Sequence, residues 1–218
     1  VGDIDFENTF LSTYNIMLAM KKFNVSKIIF ASSSAVYGKT KKPIDENFGP
    51  LNPVSHYGAF KLASESVISS FVENYKFDAL ILRFPNVIGP KLTHGVIYDF
   101  NNKLKKNKNE LHILGNGKQL KPYLYIDDLI NAISIIEKKL KIGLNVFNIG
   151  NNTRSDVTFI AKEITKKFSS IKLVYSGGDV GWVGDVPNFK YNMDKLLALG
   201  WKPTLTSNEA VIKTIENI

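Results

Sequence analysis

Residues 27–38 read Lys27-Ile28-Ile29-Phe30-Ala31-Ser32-Ser33-Ser34-Ala35-Val36-Tyr37-Gly38. A short apolar run that stops on three hydroxyls is the pattern of a buried strand whose carboxyl end opens into a turn. Upstream, residues 4–23 carry Phe6, Phe10, Tyr14, Met17 and Leu18 at helical spacing. Downstream, residues 56–75 predict a second helix. Ala79-Leu80-Ile81-Leu82-Arg83-Phe84 predicts a second buried strand, stopped by Pro85 and the turn at Gly89-Pro90. Helix then apolar strand, repeated, is the signature of an α/β fold with a parallel sheet covered by helices, in which ligands collect at the carboxyl ends of the strands. Ser32, Ser33 and Ser34 stand at one such end, and Phe84, Pro85 and Asn86 at another.

Beyond Gly89 the pattern loosens. Helices are expected over 96–106, 126–139, 156–168 and 207–218, a turn at Gly115-Asn116-Gly117, and a strand over 145–149. Asp127 and Asp128 open a helix, where a carboxylate caps free backbone N–H groups. Tyr123 and Tyr125 read as core residues of a strand, or one of them as a shield for a nucleotide. Residues 176–184 are the most loop-like, and glycine-rich loops often approach a ligand closely. Trp182, within that loop, is either an anchor or a ligand wall.

The chain has 218 residues and is 44% hydrophobic, enough for one large domain or a domain with a small appendage. It has no cysteine, which excludes a disulfide framework, a thiolate nucleophile and a cysteine-based zinc site, and fits the cytoplasm. His94 and His112 stand isolated, without metal-ligand spacing, so no metal is expected. The apolar stretches fall far short of the roughly 18 to 20 residues of a membrane span. The acidic start Val1-Gly2-Asp3-Ile4-Asp5 does not read as a signal peptide. The net charge of +8 is nearly all scattered lysine, with Arg83 and Arg154 the only arginines. That is a lysine-coated surface rather than a nucleic-acid interface.

The chemistry lies in Tyr57-Gly58-Ala59-Phe60-Lys61. Tyrosine and lysine at i and i+4 share a helix face, so the ammonium is expected to bring the phenol pKa down and make Tyr57 a general base. A serine hydroxyl within reach can relay the proton or bind the substrate oxygen, as oxidation of an alcohol requires while hydride leaves for a cofactor.

Joined to the serine turn, this pattern resembles the extended short-chain dehydrogenase/reductase family, and within it the nucleotide-sugar epimerases related to UDP-glucose 4-epimerase. The resemblance runs through essentially the whole chain. It implies a Rossmann-like parallel sheet with a smaller C-terminal α/β substrate-binding region, NAD as cofactor and a UDP-sugar as substrate. Ser33, Tyr57 and Lys61 take the catalytic roles. Asn8, in Asn8-Thr9-Phe10-Leu11-Ser12-Thr13, matches an asparagine near the dinucleotide, with Ser32, Phe84, Tyr57 and Lys61 beside it. Without that match, Asn8 reads as a helix residue with a buried hydrogen bond. Asn86, in Arg83-Phe84-Pro85-Asn86-Val87-Ile88-Gly89-Pro90, is assigned to the substrate diphosphate, the other reading being a turn cap. Ser34 is either a bystander or a substrate contact. Val96, His112, Lys121 and Asp185 complete the substrate set, His112 from the segment that lies along the uridine and Asp185 facing the nucleotide ribose.

Departures from the family pattern are informative. Lys121 and Trp182 stand where an arginine is common, and lysine lacks the bidentate fork of guanidinium. No Gly-x-Gly-x-x-Gly or Gly-x-x-Gly-x-x-Gly motif opens the chain, so the first βαβ unit, roughly eighty residues, is expected ahead of Val1. Dehydratases of the family carry an Asp-Glu pair after the serine or threonine; here Ser34 and Ala35 stand there. Relatives that epimerise at C3 and C5 use a cysteine, which this chain lacks. The implied activity is 4-epimerisation of UDP-glucose and UDP-galactose. The alternatives are another nucleotide-sugar oxidoreductase or dehydratase, or an inactive sugar-nucleotide binder. Residues 1–90 are expected to belong to the NAD-binding domain and 91–218 mainly to the substrate region, with about 120–150 returning to the first sheet. The helices at 4–23 and 56–75 carry apolar residues on more than one face, as in family members that form homodimers through a four-helix bundle.

Overall fold

The computed structural model describes residues 2–40, 43–168, 170–179, 181, 186 and 190–218. In chain order it contains α1 (Gly2–Asp5), a π-helical segment (Phe6–Leu11), α2 (Ser12–Lys22), β1 (Lys27–Ala31), a 3-10 turn (Ser34–Tyr37), α3 (His56–Tyr75), β2 (Asp78–Arg83), β3 (Asn86–Ile88) and α4 (Val96–Lys106). There follow β4 (Glu110–Ile113), β5 (Leu120–Lys121), β6 (Tyr123–Tyr125), α5 (Ile126–Glu137), β7 (Leu144–Asn148), β8 (Ser155–Asp156), α6 (Val157–Thr165), β9 (Lys172–Tyr175), α7 (Asp194–Leu197) and α8 (Ser207–Glu216). Two compact units result. The first is Val1–Pro85, Asn131–Ile149 and Tyr191–Lys202, and the second Asn86–Ile130, Gly150–Lys190 and Pro203–Ile218. The division thus falls at 85/86 rather than 90. The returning stretch is 131–149, joined by 191–202.

The first unit holds a parallel sheet in the order β1-β2-β7, with Phe30 opposite Ile81 and Ile81 opposite Val146. The central strand β2 is buried almost throughout, whereas β1 alternates between exposed and half-buried residues. Helix α3 covers one face. Ser55 caps its start by accepting the Gly58 N–H at 3.1 Å, and Lys76 ends it in the left-handed region. Ile68, Phe71 and Val72 sit at helical spacing and pack with Met17, Met20, Phe77, Ala79 and Ile81. Burying each large side chain contributes about 1.5–3 kcal/mol.

The second unit is built from pairs: β3 with β6 and β4 with β9, both parallel, and β5 with β8, antiparallel. Phe100 and Leu104 of α4, Leu111 and Ile113 of β4, Ile160 and Ile164 of α6 and Val211 of α8 form its core. Tyr123 and Tyr125 belong to that core, the first of the two readings offered for them. A capping box starts α8, Thr206 with Glu209. Asp128 corrects its expectation. It is buried, and Oδ1 accepts the Thr204 N–H at 2.9 Å and the Thr204 hydroxyl at 2.7 Å, so this oxygen ties down the loop before α8.

Candidate functional site

At the carboxyl end of β1 the backbone stays extended through Ser33 (φ −150°) and then tightens into the 3-10 turn. The Ser33 hydroxyl accepts the Ala35 N–H at 3.2 Å, which fixes the turn's start, and it lies near enough to the Tyr57 phenol to lower its pKa. The first turn of α3 reaches this loop because position 58 is glycine. A Cβ there would stand 2.5 Å from the Ala35 carbonyl oxygen.

Tyr57 is 41% exposed. Desolvation by its surroundings raises its phenol pKa above the ordinary value, the Ser33 hydrogen bond pulls it down, and the Asp5 carboxylate pushes it up, the net shift being upward. The expectation that Lys61 lowers this pKa is corrected. The Lys61 ammonium donates to the Ala31 carbonyl at 2.8 Å and lies 5.0 Å from the centroid of the Phe30 ring. Burial lowers the Lys61 pKa. Tyr57 therefore rests as a neutral phenol at neutral pH.

Lys61 also walls a cavity of about 230 Å³ with Asn8, Thr9, Ser12, Ile28 and Ala31. Asn8 is exposed and comes from the π-helical segment, the kind of local bulge that re-aims a side chain at functional sites. Asn8 and Lys61 bring a carboxamide and an ammonium to a wall that is otherwise largely apolar, with Ile16, Ile28, Ile29 and Phe30 in it. At this size, below the roughly 300–1,000 Å³ of a whole ligand site, it has room for only part of a ligand.

The other expected residues fall as follows. Ser32, expected near the cofactor, has its side chain turned into the protein. It is 1% exposed and its hydroxyl donates to Glu65. The Ser34 N–H donates to the Phe84 carbonyl at 3.1 Å, and its side chain hydrogen-bonds the buried Tyr191. Phe84 is half-buried just past β2. In the second unit, Asn86 is exposed and opens β3 opposite Tyr123, which answers the turn-cap reading with a strand position. Val96 opens α4, half-buried, and packs on the unit's core. His112 is exposed on β4, its Nε2 3.4 Å from Glu110 Oε2. Lys121 is half-buried on β5 opposite Ser155. Asp185 and Trp182 lie outside the described residues.

The structure thus joins Ser33, Tyr57 and Lys61, with Asn8 in the same cavity wall as Lys61. It adds a group the sequence reading missed: Glu65, Arg83 and Tyr37, buried beneath the serine turn. Their signal was faint. Glu65 follows Tyr57 and Lys61 at another four-residue step, and Arg83 is a lone charge ending an apolar strand.

The NAD dependent epimerase/dehydratase family matches residues 3–150. Human dTDP-D-glucose 4,6-dehydratase is 34% identical, over 97% of this chain and 62% of that protein. A putative UDP-glucose 4-epimerase of Methanocaldococcus jannaschii is 33% identical, over 98% and 68%. A crystal structure of a UDP-galactose 4-epimerase superposes with a TM-score of 0.88 at 34% identity, over 100% of this chain and 71% of that one. The chain spans about three fifths of the human relative's length.

Proposed function

This chain belongs to the NAD dependent epimerase/dehydratase family, and from that premise we propose that it carries the proton-transfer site of a UDP-hexose 4-epimerase of the UDP-glucose/UDP-galactose type. The observation that carries the reading is the Ser33 hydroxyl set beside the Tyr57 phenol, in a turn that continues with Ser34 and Ala35. Dehydration needs an acid and a base beyond the tyrosine. The turn offers a hydroxyl and a methyl at those places, and the buried carboxylate beneath it, Glu65, is already paired with Arg83. Oxidation at C4, rotation of the ketone and reduction on the other face need only a base, a relay and a hydride carrier.

NAD, when bound, supplies the hydride acceptor and donor. Tyr57 takes the proton of the C4 hydroxyl and later returns it. Ser33 bridges the phenol and the substrate oxygen and stabilises the phenolate. Lys61 and Asn8 hold the nicotinamide ribose from the cavity wall. Asn86, Lys121, His112 and Asp185 are assigned to the sugar nucleotide. A second copy of the chain is the proposed partner through the helices at 4–23 and 56–75, since Leu11, Tyr14 and Leu18 stay 37%, 41% and 43% exposed. The cytoplasm is the proposed location, resting on the cysteine-free sequence.

The test is thermal stabilisation of this chain by NAD and by UDP-galactose, with an assay for UDP-glucose. Stabilisation by both, with turnover that falls about 10²–10⁴-fold in Tyr57→Phe, is expected. Undiminished turnover in that variant would overturn the role of Tyr57. Stabilisation by UDP-galactose alone, without turnover, would make the chain a sugar-nucleotide binder.

A further inference from the structure

Beneath the serine turn lies a buried, charged network that the proposed chemistry does not use. The Glu65 carboxylate accepts the Arg83 Nε–H at 3.0 and 3.2 Å on its two oxygens, and the Nη2–H at 2.6 Å. It also accepts the Ser32 hydroxyl. Arg83 Nη1 donates to the Tyr37 hydroxyl at 3.0 Å, and its guanidinium lies 4.9 Å from the Tyr37 ring centroid. The Tyr37 hydroxyl donates to Asn148 Oδ1 at 2.7 Å, and the Asn148 amide donates to the Ile44 carbonyl at 3.0 Å. Ser32, Tyr37, Glu65, Arg83 and Asn148 are all at most 6% exposed.

A buried ion pair contributes little net stability compared with apolar packing of the same volume, because desolvation offsets the attraction. What it fixes is geometry. Ser32 immediately precedes Ser33, and Tyr37 ends the 3-10 turn that Ser33 begins. The pair therefore grips the turn at both ends. Glu65 also lies on the helix that carries Tyr57 and Lys61, two four-residue steps from the phenol, so one rigid element bears both the phenol and the anchor of the serine facing it.

We propose that Glu65 and Arg83 are positioning residues which, through the hydroxyls of Ser32 and Tyr37, hold the 32–37 turn so that the Ser33 hydroxyl meets Tyr57. The proposal rests on the reading of Tyr57 as the proton-transfer group, and its test does not depend on turnover.

The test is the alkaline absorbance titration of Tyr57 in this chain, each variant being read against its own Tyr57→Phe counterpart. The groups facing the phenol are Ser33, Asp5 and, on its own helix, Lys61. Ser33→Ala is the reference: with the serine hydrogen bond gone, Tyr57 titrates at higher pH. The double variant Ser32→Ala/Tyr37→Phe leaves both buried charges paired and cuts both tethers to the turn. Glu65→Leu/Arg83→Met removes the charges together, a replacement that buried pairs commonly tolerate. Folding is checked by circular dichroism.

The expected result is a shift toward the Ser33→Ala titration in whichever double variant folds, and in an active preparation a kcat loss on the order of tenfold to a hundredfold with KM little changed. A Tyr57 titration that stays at the wild-type position in a folded double variant overturns the proposal. So does failure of both variants to fold, which would make the network a stability element. If UDP-galactose neither stabilises the chain nor is turned over and the shift is still seen, the epimerase reading fails while the positioning role stands.

Discussion

The Lys61 ammonium donates to the Ala31 carbonyl at 2.8 Å, while the centroid of the Tyr57 ring lies 5.6 Å from it. Helical spacing puts the two side chains on one face, but the strand carbonyl takes the proton donor. Lys61 was the group expected to tune the phenol, and in this structure it is Ser33 that lowers its pKa.

The first prediction follows from that division. Ser33→Ala moves the Tyr57 titration further toward high pH than Lys61→Met does, because the serine lowers the phenol pKa while the ammonium is tied to the Ala31 carbonyl. Paired absorbance titrations against Tyr57→Phe measure both shifts. A larger shift in Lys61→Met would restore the ammonium as the tuning group and reverse the assignment.

Asp5 supplies a prediction of opposite sign. Its carboxylate disfavours a phenolate at position 57, so Asp5→Asn lowers the Tyr57 pKa. A base must be deprotonated to act, so kcat/KM in this variant begins to rise at lower pH than in the wild type. An unchanged or alkaline-shifted profile would show that Asp5 does not act on the site.

How much of this was legible in the sequence depends on element length and on where a partner lies. The 56–75 and 96–106 helices and the buried strand β2 were readable because each spans several periods of its own pattern. β5 and β8, at two residues each, carry no pattern of their own and exist through their pairing with each other. The π-helical segment was hidden because Phe6 and Phe10 keep ordinary helical spacing through it. Ser33, Tyr57 and Lys61 were legible as a motif, whereas the Glu65–Arg83 pair was not. A glutamate on a helix reads as a solvated side chain until the fold brings the end of β2 beneath it.

Tyr37 gives a stability prediction with a defined pH window. Burial, only partly offset by Arg83, raises its phenol pKa from 10.0 to about 12. Between those values the unfolded chain loses a proton that the folded chain retains, so stability falls as pH rises, by on the order of 2–3 kcal/mol across the window. Tyr37→Phe lacks that component. Urea unfolding at pH 9, 10 and 11 is therefore expected to show the wild type losing stability faster than the variant, and parallel losses would argue against a buried phenol.

Gly58 sets helix propensity against geometry. Alanine is the better helix former by about 1 kcal/mol, so Gly58→Ala in an isolated helix would be stabilising. Here the added Cβ would lie 2.5 Å from the Ala35 carbonyl oxygen and 3.1 Å from Pro53 Cβ. The first of these is backbone in the very turn that holds Ser33, so it cannot rotate aside as a side chain would. Relief comes only by parting α3 from that turn, which draws Tyr57 away from Ser33. The expected outcome is a folded protein whose Tyr57 titrates at higher pH and whose kcat falls by on the order of tenfold or more. Gly58→Ala with wild-type titration and turnover would show that the close approach of α3 to the serine turn is dispensable, and the Ser33–Tyr57 contact with it.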